Sequence, residues 1–371
     1  MILPIVLMPP LSAGAYAVYR GTMSTLPTRP LGETGLQITP IGLGTWALGG
    51  PGWAYSWGPQ ADAASLGAMH HALRRGINWI DTAPVYGLGH AEELVGRLLK
   101  GLPAHERPLV FTKCGMQCDP REPRREPRRD LRPATIRGEC EASLRRLGVD
   151  RIDLYQIHWP DEFGLPVEYS WAEMMRLRDE GKIRALGVCN FDAGLLTICA
   201  ERCPVGSLQT PFSLIRRAAA LTDIPWCVDH GTGVLAYSPL ASGLLSGAFS
   251  EARLQRLAAD DWRRTSPEFR QPRLGRNLAL AQALRPVARR HGTSVAAVAV
   301  AWAARWPGVT GAIVGARAPH QVDDWIGGAT LELTADDLAE VTAAIRHSGA
   351  GDGPASPQDV EAWQWEVGVQ E

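Results

Sequence analysis

A chain of 371 residues with 38 basic and 39 acidic side chains carries a formal net charge of −1. Such a balance gives no electrostatic reason for a nucleic-acid or anionic-membrane partner, and the length suffices to bury a large core. Seven scattered cysteines, with no CxxC pair and no zinc-like spacing, read as free thiols in a reducing, cytoplasmic setting with no metal site.

Residues 1–22 are apolar, but Pro4, Pro9 and Pro10 interrupt them and no basic residue precedes Arg20. They fit neither a membrane helix nor a well-formed signal peptide. They are expected to lie outside the fold, with a cleaved export signal as the rival reading. Residues 31–39 then predict a small hairpin turned at Gly32 and Gly35, and Pro40 to Gly44 a first strand. A helix follows over Ala61 to Arg75, with Gly76 as its stop. Ile77 to Ile80, Leu109 to Thr112 and Ile152 to Ile157 are short runs rich in β-branched and aromatic residues, the mark of strands buried on both faces. Helical stretches at 91–99 and 134–147 separate them. The loop from Gln117 to Pro133 holds six arginines among prolines. Three nearby acids favour a solvated loop over a phosphate site.

The alternation continues with helices at 171–180 and 193–202, strands at 183–188 and near Gln209, a helix at 221–230, and a strand at 234–237. Ser238 to Arg276 is longer than an ordinary loop, which points to function. Helices at 278–291 and 295–306, a strand at 311–314, and helices at 319–327 and 335–346 complete the chain. From His347 the tail is expected to be irregular. Eight strands alternating with helices match one (β/α)8 barrel over residues 23–346, with an amino-terminal hairpin.

In such a barrel the carboxyl ends of all strands open onto one face, where active sites lie. Asp81 follows the second strand and Tyr86 lies five residues on. Lys113 ends the third strand and His158 the fourth. An acid, a phenol, an amine and an imidazole thereby converge, a set suited to moving a proton to or from an oxygen. Each residue also has a structural reading as a turn cap, a surface lysine or a packed ring. An ammonium about 4 Å from a phenol is worth about 4 kcal/mol at an effective dielectric of about 20. That would draw a tyrosine pKa of about 10 toward neutrality, less what a pairing with Asp81 gives back. Trp46, Trp53, Tyr55, Trp57 and Trp159 fall on strand-end loops and predict a wide, ring-lined substrate mouth. Trp79 and Trp302 read as packing.

Taken together, Gly42-Leu43-Gly44-Thr45-Trp46, Asp81-Thr82-Ala83-Pro84-Val85-Tyr86-Gly87, Lys113, Gln156-Ile157-His158-Trp159, Gly187-Val188-Cys189-Asn190-Phe191, Tyr237-Ser238-Pro239-Leu240 and Gly315-Ala316-Arg317 resemble the aldo-keto reductase superfamily. The resemblance spans Arg29 to Ile345. It implies reversible reduction of an aldehyde or ketone, with hydride from nicotinamide C4, a proton from Tyr86, and His158 orienting the substrate oxygen. No GxGxxG follows a strand, so the barrel itself would hold the dinucleotide. The resemblance places Gly44, Thr45 and Trp46 beside the cofactor and Tyr237 against the nicotinamide ring. Asn190, Gln209 and Cys189 are placed on its carboxamide, and Ser238, Leu240, Gly243 and Leu245 on the pyrophosphate. Cys189 stands where serine is common, and Ala248 where lysine is frequent.

Arg317 with Gln321 matches the pattern that binds an adenosine 2′-phosphate, and a guanidinium fork suits that dianion. NADP is expected on that account. Trp325 replaces an adenine-binding asparagine, and it either stacks on the base or belongs to the core. Some members of the superfamily, such as the β-subunits of potassium channels, serve as cofactor-binding regulatory partners. That is the alternative to an enzyme. Beyond a small carbonyl or alcohol, no nucleic-acid or membrane partner is expected; the sequence does not fix the oligomeric state, with a monomer favoured.

Overall fold

The computed structural model of the chain describes residues 25–360. The amino-terminal extension, Trp363 and Trp365 lie outside the described residues. The strands are β1 (Arg29–Pro30), β2 (Gln37–Ile38), β3 (Ile41–Gly44), β4 (Trp79–Asp81), β5 (Leu109–Cys114), β6 (Met116–Gln117), β7 (Arg128–Arg129), β8 (Ile152–Ile157), β9 (Ile183–Cys189), β10 (Ser207–Pro211), β11 (Gly233–Tyr237) and β12 (Val309–Gly315). Eight of them close into a parallel barrel in the order β3, β4, β5, β8, β9, β10, β11, β12. The expected (β/α)8 architecture is present. β1 and β2 form the antiparallel amino-terminal hairpin.

Successive side chains of a strand point to opposite faces. Trp79, Phe111, Leu154 and Leu235 accordingly fill the barrel interior, while Ile80, Val110 and Val234 pack against the helices outside. Gly42 is required here, because a Cβ at that position would lie 2.2 Å from the Trp79 ring. Leu31, Leu36 and Ile38 of the hairpin join the interior cluster and are at most 1% exposed. The hairpin therefore plugs the amino-terminal mouth and leaves the opposite mouth open.

The outer helices are α1 (Asp62–Arg74), α2 (His90–Lys100), α3 (Pro133–Leu147), α4 (Val167–Asp179), α5 (Ala193–Ala200), α6 (Asp223–Asp229), α7 (Glu251–Gln255), α8 (Arg273–Ala283), α9 (Arg285–Arg290), α10 (Val295–Ala304), α11 (Pro319–Trp325) and α12 (Ala335–Ser348). Every residue of α10 is buried, as a helix apolar all round must be. α12 begins with a capping box between Thr334 and Asp337.

Three expectations need correction. The helix expected over 278–291 is two, α8 and α9, meeting at Leu284; Pro286 offers no N–H to continue the first one. The helix expected at 221–230 shortens to α6 behind a 3-10 turn at Ala218–Ala220. The stretch after β11 is not one long loop, since α7, three 3-10 turns and the start of α8 lie within it. Past Ser348 the chain is irregular but anchored: the buried Arg217 guanidinium donates to the carbonyls of Ala350 and Gly353 at 3.3 and 3.2 Å. Among the described residues, no helix is long and apolar enough to cross a membrane, and no group of three or more His, Cys, Asp or Glu could hold a metal ion.

Candidate active site

The ends of β4, β5 and β8 carry the expected polar residues to one point. Lys113 is fully buried, and its Nζ donates to Asp81 Oδ1 at 2.6 Å, to the Thr82 carbonyl at 2.9 Å and to Tyr86 Oη at 3.4 Å. The Tyr86 and His158 rings meet edge to face with centroids 5.9 Å apart. Burial, with Lys113 adding to it, holds His158 well below its ordinary pKa. The imidazole is therefore neutral, and its Nδ1 has no protein partner. These groups face a cavity of about 600 Å³ at the open mouth, lined by Asp81, Tyr86 and His158 but not by Lys113, which stands behind them.

One end of the cavity is aromatic. Trp46, Trp53, Tyr55 and Trp159 cluster there around Tyr86, and Trp57, also on the lining, stands where this end meets the arginines, its carbonyl accepting from Arg317. Trp46 stacks on Trp262 at 5.1 Å and meets Trp57 edge-on at 5.4 Å. Tyr55 donates to Glu126 at 2.9 Å, and Arg129 lies 4.6 Å over the Trp159 ring. The arginine-rich loop is thus partly a wall of the site, through the short β6–β7 ladder. Gly44, Thr45, Asn190, Gln209 and Tyr237 line the middle of the cavity; Ser238, Leu240 and Gly243 continue that wall. At the far end come Gly315, Arg317, Gln321 and Trp325.

A family model described as the aldo/keto reductase family matches residues 40–346. This chain belongs to the aldo/keto reductase family. It is 34% identical over 319 residues to the aldo-keto reductase YhdN of Bacillus subtilis (strain 168), covering 86% of this chain and 93% of that protein. It is 33% identical over 317 residues to the NADH-specific methylglyoxal reductase of Escherichia coli (strain K12), covering 83% and 95%. Among solved structures it is similar to the glycerol dehydrogenase AKR11B4 from Gluconobacter oxydans, with a TM-score of 0.77 and 37% identity over 90% of this chain and 98% of that one. The aldo-keto reductase AKR11C1 from Bacillus halodurans, at 24% identity and a TM-score of 0.70 over 86% and 96%, shares the fold. Membership makes the chain an oxidoreductase of a carbonyl-reducing, nicotinamide-dependent class.

For this aldo/keto reductase, the pKa expectation for Tyr86 changes, and four expected cofactor residues have surroundings that the sequence did not show. Tyr86 is not drawn toward neutrality: burial raises its pKa to about 12, with Asp81 working against the lowering by Lys113. Cys189 is fully buried and does not line the cavity; its Sγ lies 3.8 Å from Gln156 Oε1. Leu245 is also buried outside the lining, and its N–H donates to the Leu240 carbonyl at 3.1 Å. The Gly243 N–H is spent on the same carbonyl at 3.0 Å. The Arg317 guanidinium is already held by three bonds: it donates to Gln60 Oε1 at 2.9 Å, to the Trp57 carbonyl at 3.0 Å and to the Pro59 carbonyl.

Trp325 is 2% exposed and packs in the core, with one edge on the cavity and its indole N–H unpartnered. Gln156 had no role in the sequence reading. It sits beneath the site, where its amide meets Asp81 Oδ2 at 3.5 Å and accepts from Gln209 Nε2 at 3.3 Å. Its place in the His158 motif was visible, but its contacts depend on β4, β8 and β10 converging. Trp262 was also missed, lying in the long connection far from the other tryptophans in sequence.

Proposed function

We propose that this chain is an NADPH-dependent reductase of aldehydes and ketones, reversible toward alcohol oxidation, with Tyr86 as the proton donor. The observation that carries this reading is the Asp81–Lys113–Tyr86 chain of contacts, at 2.6 and 3.4 Å, beside a neutral His158 on an open cavity. A bound nicotinamide cofactor supplies the hydride. Tyr86 remains a phenol and gives its proton to the substrate oxygen as negative charge develops there. Lys113, held in place by Asp81 and the Thr82 carbonyl, stabilises the phenolate left behind. His158 hydrogen-bonds the same oxygen and orients it without bringing a competing charge.

The donor set suits such a cofactor. Asn190 and Gln209 put two primary amides on the cavity wall with Tyr237, whose hydroxyl donates to Asn190 Oδ1 at 2.8 Å. Ser238, Ala241 and Ser242 hold left-handed backbone with φ of 56°, 45° and 57°, a strain that accumulates where backbone is shaped around a ligand. Cations stand at the far end, where an adenosine 2′-phosphate would lie, and this favours NADPH although the Escherichia coli relative is named as NADH-specific. The ring-lined end suits apolar or ring-bearing carbonyls.

Replacing Tyr86 by Phe tests the reading. Turnover with a panel of small carbonyls should fall by about a hundredfold to ten-thousandfold, the usual contribution of a positioned acid, while NADPH binding followed by fluorescence stays near wild type. Near-full turnover of that variant on every accepted carbonyl would overturn it.

A further inference from the structure

Three guanidiniums gather at the far end of the cavity, and their partners differ. Arg263 is neutralised by a two-pronged pair with Asp261 at 2.9 and 2.6 Å, and it lies 4.4 Å over the Trp57 ring. Arg317 uses three of its five guanidinium N–H groups on Gln60, Trp57 and Pro59, and Gln60 returns a bond to the Arg317 carbonyl at 2.9 Å. Arg253, on α7, lines the same cavity and is exposed. Among the described residues its side chain has no hydrogen bond and no acid partner, only the Phe249 ring at 5.9 Å. Burial, then Arg263 and later Arg253, hold the Arg317 guanidinium below its ordinary pKa, which puts the three cations within electrostatic reach of one another. Asp261 is taken by Arg263, and Asp260 is held by Ser56 and Gly52, so neither acid pairs with Arg253. Ala248 adds no charge of its own.

We propose that Arg253 is the residue that binds a phosphate of the cofactor's adenosine half, while Arg317 chiefly clasps the Trp57–Gln60 loop against α11. The inference rests on the dinucleotide reading above and goes further by naming the residue that decides affinity. A guanidinium pinned by three carbonyl-type acceptors keeps only two of its five N–H groups, in directions those bonds fix. Arg253 gives up only water. An anion meeting it in a cavity partly screened from solvent gains a charge-assisted bond at little cost in reorganisation.

The test is tryptophan-fluorescence titration of wild type, Arg253→Ala and Arg253→Lys with NADPH, NADH, ADP-ribose and its 2′-phosphate. Arg253→Ala should weaken NADPH by roughly tenfold to a hundredfold, the equivalent of one charge-assisted bond. Arg253→Lys should recover most of the loss, with melting temperatures unchanged in both. A loss confined to the 2′-phosphorylated ligands places Arg253 on the 2′-phosphate; equal losses for all four place it on the pyrophosphate. Either supports the proposal. Unchanged NADPH affinity in Arg253→Ala overturns it and leaves the reductase reading standing. Failure of wild type to bind either dinucleotide removes that reading and this inference with it.

Discussion

Tyr86 sits between opposing influences. Burial disfavours its phenolate, Lys113 favours it, and the carboxylate that holds Lys113 works against that help. With a pKa of about 12, the phenol keeps its proton over the whole range in which the enzyme would be assayed. The two directions should then respond differently to pH. Reduction needs the phenol, so kcat/KM for a carbonyl should stay level from pH 7 to pH 10. Oxidation needs the phenolate, whose fraction grows as pH approaches the pKa, so kcat/KM for an alcohol should climb throughout. An alkaline loss of reduction centred near pH 8 would contradict this. The four polar residues were legible in the sequence because strand ends in a barrel share one face. Their electrostatics were not, since desolvation depends on what lies above and below the ring.

At the scale of elements, the roof of the cavity comes from two loops far apart in sequence. Asp260 Oδ2 accepts from the Ser56 hydroxyl at 3.1 Å and the Gly52 N–H at 3.3 Å, and the Trp262 N–H donates to the Ser56 carbonyl at 3.0 Å. The Trp46, Trp57 and Trp262 rings interlock beside this seam. Length alone marked the connection after β11 as functional. Its short helices were invisible because segments of three to six residues carry little periodicity, and the seam pairs residues some 200 positions apart. Asp260→Ala removes the carboxylate but leaves both loops otherwise intact. Bound NADPH should dissociate several-fold faster by stopped-flow, with little change in melting temperature. An unchanged dissociation rate would mean that the seam does not gate the cavity.

On the scale of the whole molecule, the barrel was readable because its strands are short apolar runs and its helices carry clear stops. What closes it was less so. Asp337 is fully buried at the start of α12, where it caps Thr334 and meets Arg290 and His291, the latter at 2.7 Å. Burial pushes its carboxyl up, but hydrogen bonds from His291, Thr334 and Arg290 outweigh that and hold it well below the usual range. A depressed folded-state pKa contributes stability that is fully present above an unfolded value of about 4 and is lost as pH falls below it. Asp337→Ala should therefore cost about 2–4 kcal/mol at pH 7, combining a lost cap with a broken buried pair. The gap to wild type in urea melts should narrow by pH 3, and a gap independent of pH would point to packing instead.

The seven cysteines have a consequence for the chemistry this molecule can survive. Six are buried and only Cys118 is partly open, and all seven are free thiols. Burial raises the pKa of Cys114, Cys118, Cys140, Cys189, Cys199 and Cys227, with Cys118 at about 11. Thiolates, not thiols, are the nucleophiles that electrophiles capture. A carbonyl compound entering the cavity thus finds almost no exposed sulfur to add to, and the same burial that builds the core shields these thiols from electrophiles.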